Sequence, residues 1–68
     1  MLTQGFILSV PTEKETIRIN GNDYYKVDNG FYVDGLAEGE YTFVADGTKY
    51  SFNTKQVDNN KELKAIKL

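Results

Sequence analysis

The tightest constraint on this chain is the stretch GEYTFVADGTKYSFNT, residues 39–54. Polar and apolar residues alternate on both sides of Asp46-Gly47, the period-two signature of half-buried strands. A two-residue type I′ loop needs φ > 0 at both central positions, and Asp-Gly meets that demand with little strain. Such a loop sets Ala45 against Thr48, Phe43 against Tyr50 and Tyr41 against Phe52. The other side then pairs Val44 with Lys49, Thr42 with Ser51 and Glu40 with Asn53. One face is aromatic core, the other is mostly polar, and a slip of one residue would scramble both. A chain anchored by this hairpin is committed to β structure.

The flanking segments extend the pattern. YYKVDNGFYVDG, residues 24–35, predicts a second hairpin around a three-residue loop, Asp28-Asn29-Gly30, with Gly30 left-handed. That loop opposes Val27 to Phe31 and Tyr25 to Val33 on the core side. Tyr24, Lys26, Tyr32 and Asp34 then point the other way. A two-residue Asn29-Gly30 loop is the alternative, and it mixes apolar and polar residues on each face. Upstream, Ile17 and Ile19 alternate with Arg18 before the turn-rich Asn20–Asp23, and several loop lengths bring these isoleucines opposite Tyr25 and Val27. GFILSV is a strand with Phe6, Leu8 and Val10 on one side, stopped by Pro11, and PTEKE is a charged connector. The tail DNNKELKAIKL admits a short helix capped by Asn59 with Glu62 three residues on. Few residues follow that cap, and short helices are marginal without packing. A strand with Leu63 and Ala65 on one face and Ile66 and Leu68 on the other is preferred. One domain, 1–68, is expected: an all-β, antiparallel two-sheet sandwich of six to seven short strands. A meander closing into an SH3-like or OB-like barrel is the alternative.

Composition removes most chemistry. The chain has no His and no Cys, which excludes Ser-His and Cys-His nucleophilic pairs, disulfides and imidazole or thiolate metal sites. Asp28, Asp34, Asp46 and Asp58 all fall in or beside turns, where aspartate bonds nearby backbone N–H groups. No phosphate-binding glycine loop precedes a helix. Eight basic against ten acidic residues give a net charge of −2, a poor basis for nucleic-acid or membrane-surface binding. Lys61, Lys64 and Lys67 read as a solvated strip or as edge-strand lysines that block unwanted pairing. The opening MLTQGFILSV lacks a basic n-region, and nothing approaches the ~20 apolar residues of a membrane span. A small complete reading frame with no export signal is expected, and with it neither enzyme activity nor cofactor.

The segment VDGLAEGEYTFVADGTKYSF resembles part of the small prealbumin-like β-sandwiches, including the Cna-B modules of bacterial surface proteins. The shared pattern is Leu-x-x-Gly-x-Tyr-x-Phe, here Leu36, Gly39, Tyr41 and Phe43, and it covers about a third of the chain. The resemblance implies a prealbumin-like or Ig-like sandwich whose edge is plugged by the leucine and whose core receives the aromatics. The Glu-Thr-x-Ala-Pro-like stretch of isopeptide-forming modules is missing, Lys14 lies in the connector and Glu40 on the polar side, so no internal cross-link is implied. Fold alone does not set function. In style the chain is similar to accessory structural proteins of tailed phages. The expected role is therefore a non-catalytic module docking on a larger assembly, as a head decoration or tail component. Its partner would be a protein, with capsid and tail proteins the candidates, and its location the virion or the cytoplasm of the producing cell. The alternatives are a small inhibitor or regulator of a host enzyme and a carbohydrate-binding module. The candidate protein-binding residues are Tyr24, Lys26, Tyr32 and Asp34, since tyrosines flanked by charge suit a protein contact.

Overall fold

The computed structural model describes residues 4–68. Eight short strands follow one another: β1 (Phe6–Ser9), β2 (Thr16–Ile19), β3 (Asn22–Val27), β4 (Gly30–Val33), β5 (Glu40–Ala45), β6 (Thr48–Asn53), β7 (Glu62–Lys64) and β8 (Ile66–Lys67). A single 3-10 turn, Thr54–Gln56, follows β6. The strands form two sheets, a larger one ordered β2-β3-β4-β1-β7 and a smaller one ordered β5-β6-β8. All pairings are antiparallel except that of β1 with β7, which is parallel. The fold is thus an all-β two-layer sandwich rather than a single closed meander. The tail supplies the strand beyond the expected seven, because Ala65 divides it into β7 in one sheet and β8 in the other.

The β5–β6 hairpin has the expected register, with Ala45, Phe43 and Tyr41 opposite Thr48, Tyr50 and Phe52. Asp46 and Gly47 have φ of 53° and 74°, the double left-handed requirement of a type I′ loop. Phe43 stacks on Tyr50 with ring centroids 5.7 Å apart, Tyr41 on Phe52 at 5.6 Å. Phe52 also meets Phe6 of the other sheet at 6.1 Å, which joins the two layers through aromatic contact. The base of the hairpin is clamped by Thr54, whose backbone N–H donates to Gly39 O (3.0 Å) and whose hydroxyl accepts from Gly39 N–H (2.9 Å).

The core gathers the alternating residues of both sheets. Phe6, Leu8, Ile19, Phe31, Val33 and Phe52 are its largest fully buried side chains, each contributing about 1.5–3 kcal/mol by leaving water. Leu36, Phe43, Leu63 and Ala65 are buried with them, whereas Ile66 and Leu68 face outward, so the two faces of the tail are those its sequence implies. Tyr41 is half-buried and its hydroxyl donates to Ala37 O at 2.6 Å, a tyrosine corner that ties β5 to the preceding loop.

The β3–β4 hairpin departs from expectation. Its loop is the two residues Asp28-Asn29, and Val27 pairs with Gly30 and Lys26 with Phe31. Asp28, not Gly30, has the positive φ, 52°. Gly30 belongs to β4 for a different reason: a Cβ there would sit 2.3 Å from Ile7 Cγ2 and 3.0 Å from Leu8 O. Glycine at this point allows β1 to approach. The one-residue change reverses the parity of β3, so Tyr24 turns into the core at 9% exposure while Tyr25 and Val27 turn out at 65% and 41%. The β2–β3 connection follows the same parity, with an Asn20-Gly21 loop that puts Ile17 opposite Tyr24 and Ile19 opposite Asn22, rather than opposite Tyr25 and Val27.

Candidate functional site: the outer face of the larger sheet

The expected quartet of Tyr24, Lys26, Tyr32 and Asp34 does not share one face. Lys26 pairs with Phe31 and so lies on the core side of β3 with Tyr24, its ammonium leaving the core rim to donate to Thr12 O at 3.2 Å. The Tyr24 hydroxyl reaches Asp34 O at 3.5 Å. Tyr24 is buried and Lys26 half-buried, each making a contact within the domain. Tyr32 and Asp34 are exposed, as expected.

The correction assembles a different surface. The pairings Thr16↔Tyr25, Tyr32↔Ile7 and Ile7↔Glu62 are shown directly. Continuing the Lys26↔Phe31 register by one residue sets Tyr25 against Tyr32. One row therefore crosses every strand of the larger sheet: Thr16, Tyr25, Tyr32, Ile7, Glu62. Beside it runs a second row of Val27, Gly30, Ser9 and Lys64, in which the Ile7 side chain covers the place where Gly30 has none. Tyr32, 48% exposed, extends its ring over Gly5, where any Cβ would meet the hydroxyl at 1.9 Å. The centre of the face is thus aromatic and apolar. Tyr25, Val27 and Ile7 are the residues that sequence reasoning left off this surface; the signal that finds them is the Asp28-Asn29 loop.

Charge lies at the ends of the face. Arg18 Nε donates to Asp23 Oδ1 at 3.0 Å across the β2–β3 ladder. That hydrogen bond, and then the Coulomb attraction, raises the Arg18 pKa and lowers that of Asp23 from the ordinary carboxylate value. At the opposite end a cleft of about 300 Å³ opens between Ile7, Ser9, Lys64 and the carboxylate-bearing Asp58 and Glu62. Asp58 Oδ1 accepts from the N–H groups of Asn60 and Glu62, both at 2.9 Å, and so organises its own turn. Asp46 accepts a hydrogen bond from the Thr12 hydroxyl and pins the charged connector to the β5–β6 loop. Among the described residues no three acidic side chains are grouped to hold a metal ion, and no helix is long and apolar enough to cross a membrane.

A polar-rimmed aromatic strip on a sheet face offers contact area and hydrogen-bonding tips. No family model, curated protein or solved structure matches the chain.

Proposed function

We propose that this chain is a non-catalytic interaction module that docks on a larger protein assembly. The observation that supports this reading is the exposed pair Tyr25 and Tyr32, flanked by Ile7 and Val27 on the outer face of the larger sheet. Tyrosine supplies large contact area with few rotatable bonds, and hot spots are enriched in it. A thin-cored domain also gains stability from any partner that binds only its folded form. Within this reading the role of a phage virion accessory protein, as a head decoration or tail component of prealbumin-like build, is the preferred one, carried by the Leu36–Phe43 pattern and the style of the sequence. A soluble antagonist of a host enzyme uses the same face with a different partner. Mass spectrometry of fractionated producing cells separates them: a virion piece sediments with particles, an antagonist with free host protein. Tyr25→Ala combined with Tyr32→Ala should leave the Tm nearly unchanged and weaken docking by several kcal/mol. A double variant that docks normally moves the contact off this face.

A further inference from the structure

The chain carries six asparagines, at 20, 22, 29, 53, 59 and 60, and two of them precede glycine, as Asn20-Gly21 and Asn29-Gly30. An asparagine has one reaction open to it that needs no enzyme. The backbone nitrogen of the next residue attacks the side-chain carbonyl carbon, and glycine obstructs that approach least. The attack requires an N–H that is not held in a hydrogen bond and a peptide with room to swing toward the side chain.

The fold withholds these conditions from most of the asparagines. After Asn53, Thr54 N–H donates to Gly39 O at 3.0 Å. After Asn59, the N–H of Asn60 donates to Asp58 Oδ1 at 2.9 Å; after Asn60, that of Lys61 donates to Asp58 O at 3.0 Å. Asn22 is followed inside β3 by Asp23, whose side chain is held by Arg18. Asn29 is exposed and precedes glycine, yet Gly30 pairs with Val27 as the first residue of β4. Residues that flank a two-residue loop exchange hydrogen bonds, so the Gly30 N–H is engaged. Gly30 is also wedged, since a Cβ there would sit 2.3 Å from Ile7 Cγ2.

Asn20-Gly21 escapes every one of these restraints. Both residues are exposed loop positions with φ of 54° and 83°, and the ladder closes outside them, between Ile19 and Asn22. The central N–H groups of such a type I′ loop face solvent, and among the described residues Gly21 N–H has no hydrogen-bond partner. Nothing lies within 4 Å of the place a Gly21 Cβ would occupy.

We propose that Asn20 is a site of spontaneous deamidation in the folded protein. The Gly21 nitrogen gives its proton to solvent base and bonds to Asn20 Cγ. The Cγ–Nδ2 bond breaks, and the side-chain nitrogen leaves as ammonia. Water then opens the resulting five-membered imide. Addition at Cγ gives aspartate on an ordinary backbone; addition at the main-chain carbonyl gives isoaspartate, with the backbone rerouted through Cγ. Both products place a further negative charge near Asp23. Isoaspartate also lengthens the backbone by one methylene inside a loop of two residues, which loosens the Ile19–Asn22 pair. The strand it loosens is β2, whose Ile17 and Ile19 are core residues.

The test holds the full chain folded in mildly alkaline buffer, beside a sample unfolded in guanidinium. Tryptic cleavage after Arg18, Lys26 and Lys49 leaves Asn20 and Asn29 on separate peptides, and fragment masses assign each amide-to-acid change to its residue. In the folded chain Asn20 should convert roughly tenfold or more faster than Asn29, whose reaction waits on local opening. In guanidinium the two rates should converge. The isoaspartate form should melt below the fresh protein, whereas Asn20→Asp, which adds the charge without the longer backbone, should stay close to it. Asn29 converting as fast as Asn20 in the folded chain would overturn the proposal. So would an Asn20 that keeps its amide while folded and loses it only in guanidinium.

Discussion

The hairpins β5–β6 and β3–β4 both turn at an aspartate with positive φ, Asp46 in one and Asp28 in the other. They spend their glycines differently. Gly47 sits in the loop at φ 74° with nothing within 4 Å of where a Cβ would be; Gly30 sits beyond the loop, in the strand, against Ile7 and Leu8. The first glycine answers a local dihedral demand and the second a tertiary one. A glycine following Asp or Asn thus specifies a turn only when no neighbouring strand needs the space. In β3–β4 the neighbour β1 is far away in sequence, and its claim on Gly30 decides which of two adjacent tyrosines enters the core.

The comparison can be broken at several points. The largest effect should come from Phe43→Ala, which removes a ring from the junction of Tyr50 and Phe52. A loss of about 3–5 kcal/mol is expected in denaturant unfolding, most of what a domain this size has. Survival with a small shift would mean that the β5–β6 aromatics are not the principal core. Next comes Gly30→Ala, expected to lose about 1–3 kcal/mol by overpacking against Ile7. In an Ile7→Ala background that cost should shrink, a coupling that a double-mutant cycle measures directly. Additive losses would show that the backbone at Leu8, not the Ile7 side chain, is what Gly30 makes room for. Gly47→Val should cost about 1 kcal/mol by backbone strain, with no relief from Ile7→Ala. The smallest effect belongs to the exposed pair of Arg18 and Asp23. The lowered Asp23 pKa means its stabilisation is present above the ordinary carboxylate pKa and lost as pH falls through the folded value. Solvent screening keeps that contribution slight. Tm curves of wild type and Asp23→Asn should nearly coincide at neutral pH and merge in acid; a wide gap would make the pair structural.

The register of β5–β6 was readable because loop chemistry and alternation agree on the same pairing, and Asp46-Gly47 leaves no competing frame. The strand nature and two faces of the tail were readable from Leu63 and Ala65 against Ile66 and Leu68. Asp28-Asn29-Gly30 gave no such agreement: three turn-forming residues in a row permit loops that differ by one residue, and each gives a plausible strand. The loop that would bury Val27 exchanges Tyr24 and Tyr25 between core and surface. The candidate face suffered most, since parity is all that separates a core tyrosine from a surface one. Lys26 was misread by the same step; its long stem lets it leave from the core side, which binary patterning does not anticipate. The parallel pairing of β1 with β7 was beyond reach, because nothing local in either strand encodes a partner at the other end of the chain.

That parallel pairing also has a consequence in time. β7 and β8 come after the other six strands in the order of synthesis, yet β7 completes the edge beside β1 and β8 the edge beside β6. Until they emerge, a growing chain holds two layers with no shared strap and two open ladders, at β1 and at β6. Closing a contact between strands this far apart in sequence is slow relative to hairpin formation. The interval is when the nascent molecule is most exposed to pairing with a stranger. Lys61, Lys64 and Lys67 lie in the segment that ends it, so the strands that close the sandwich arrive already carrying their own deterrent.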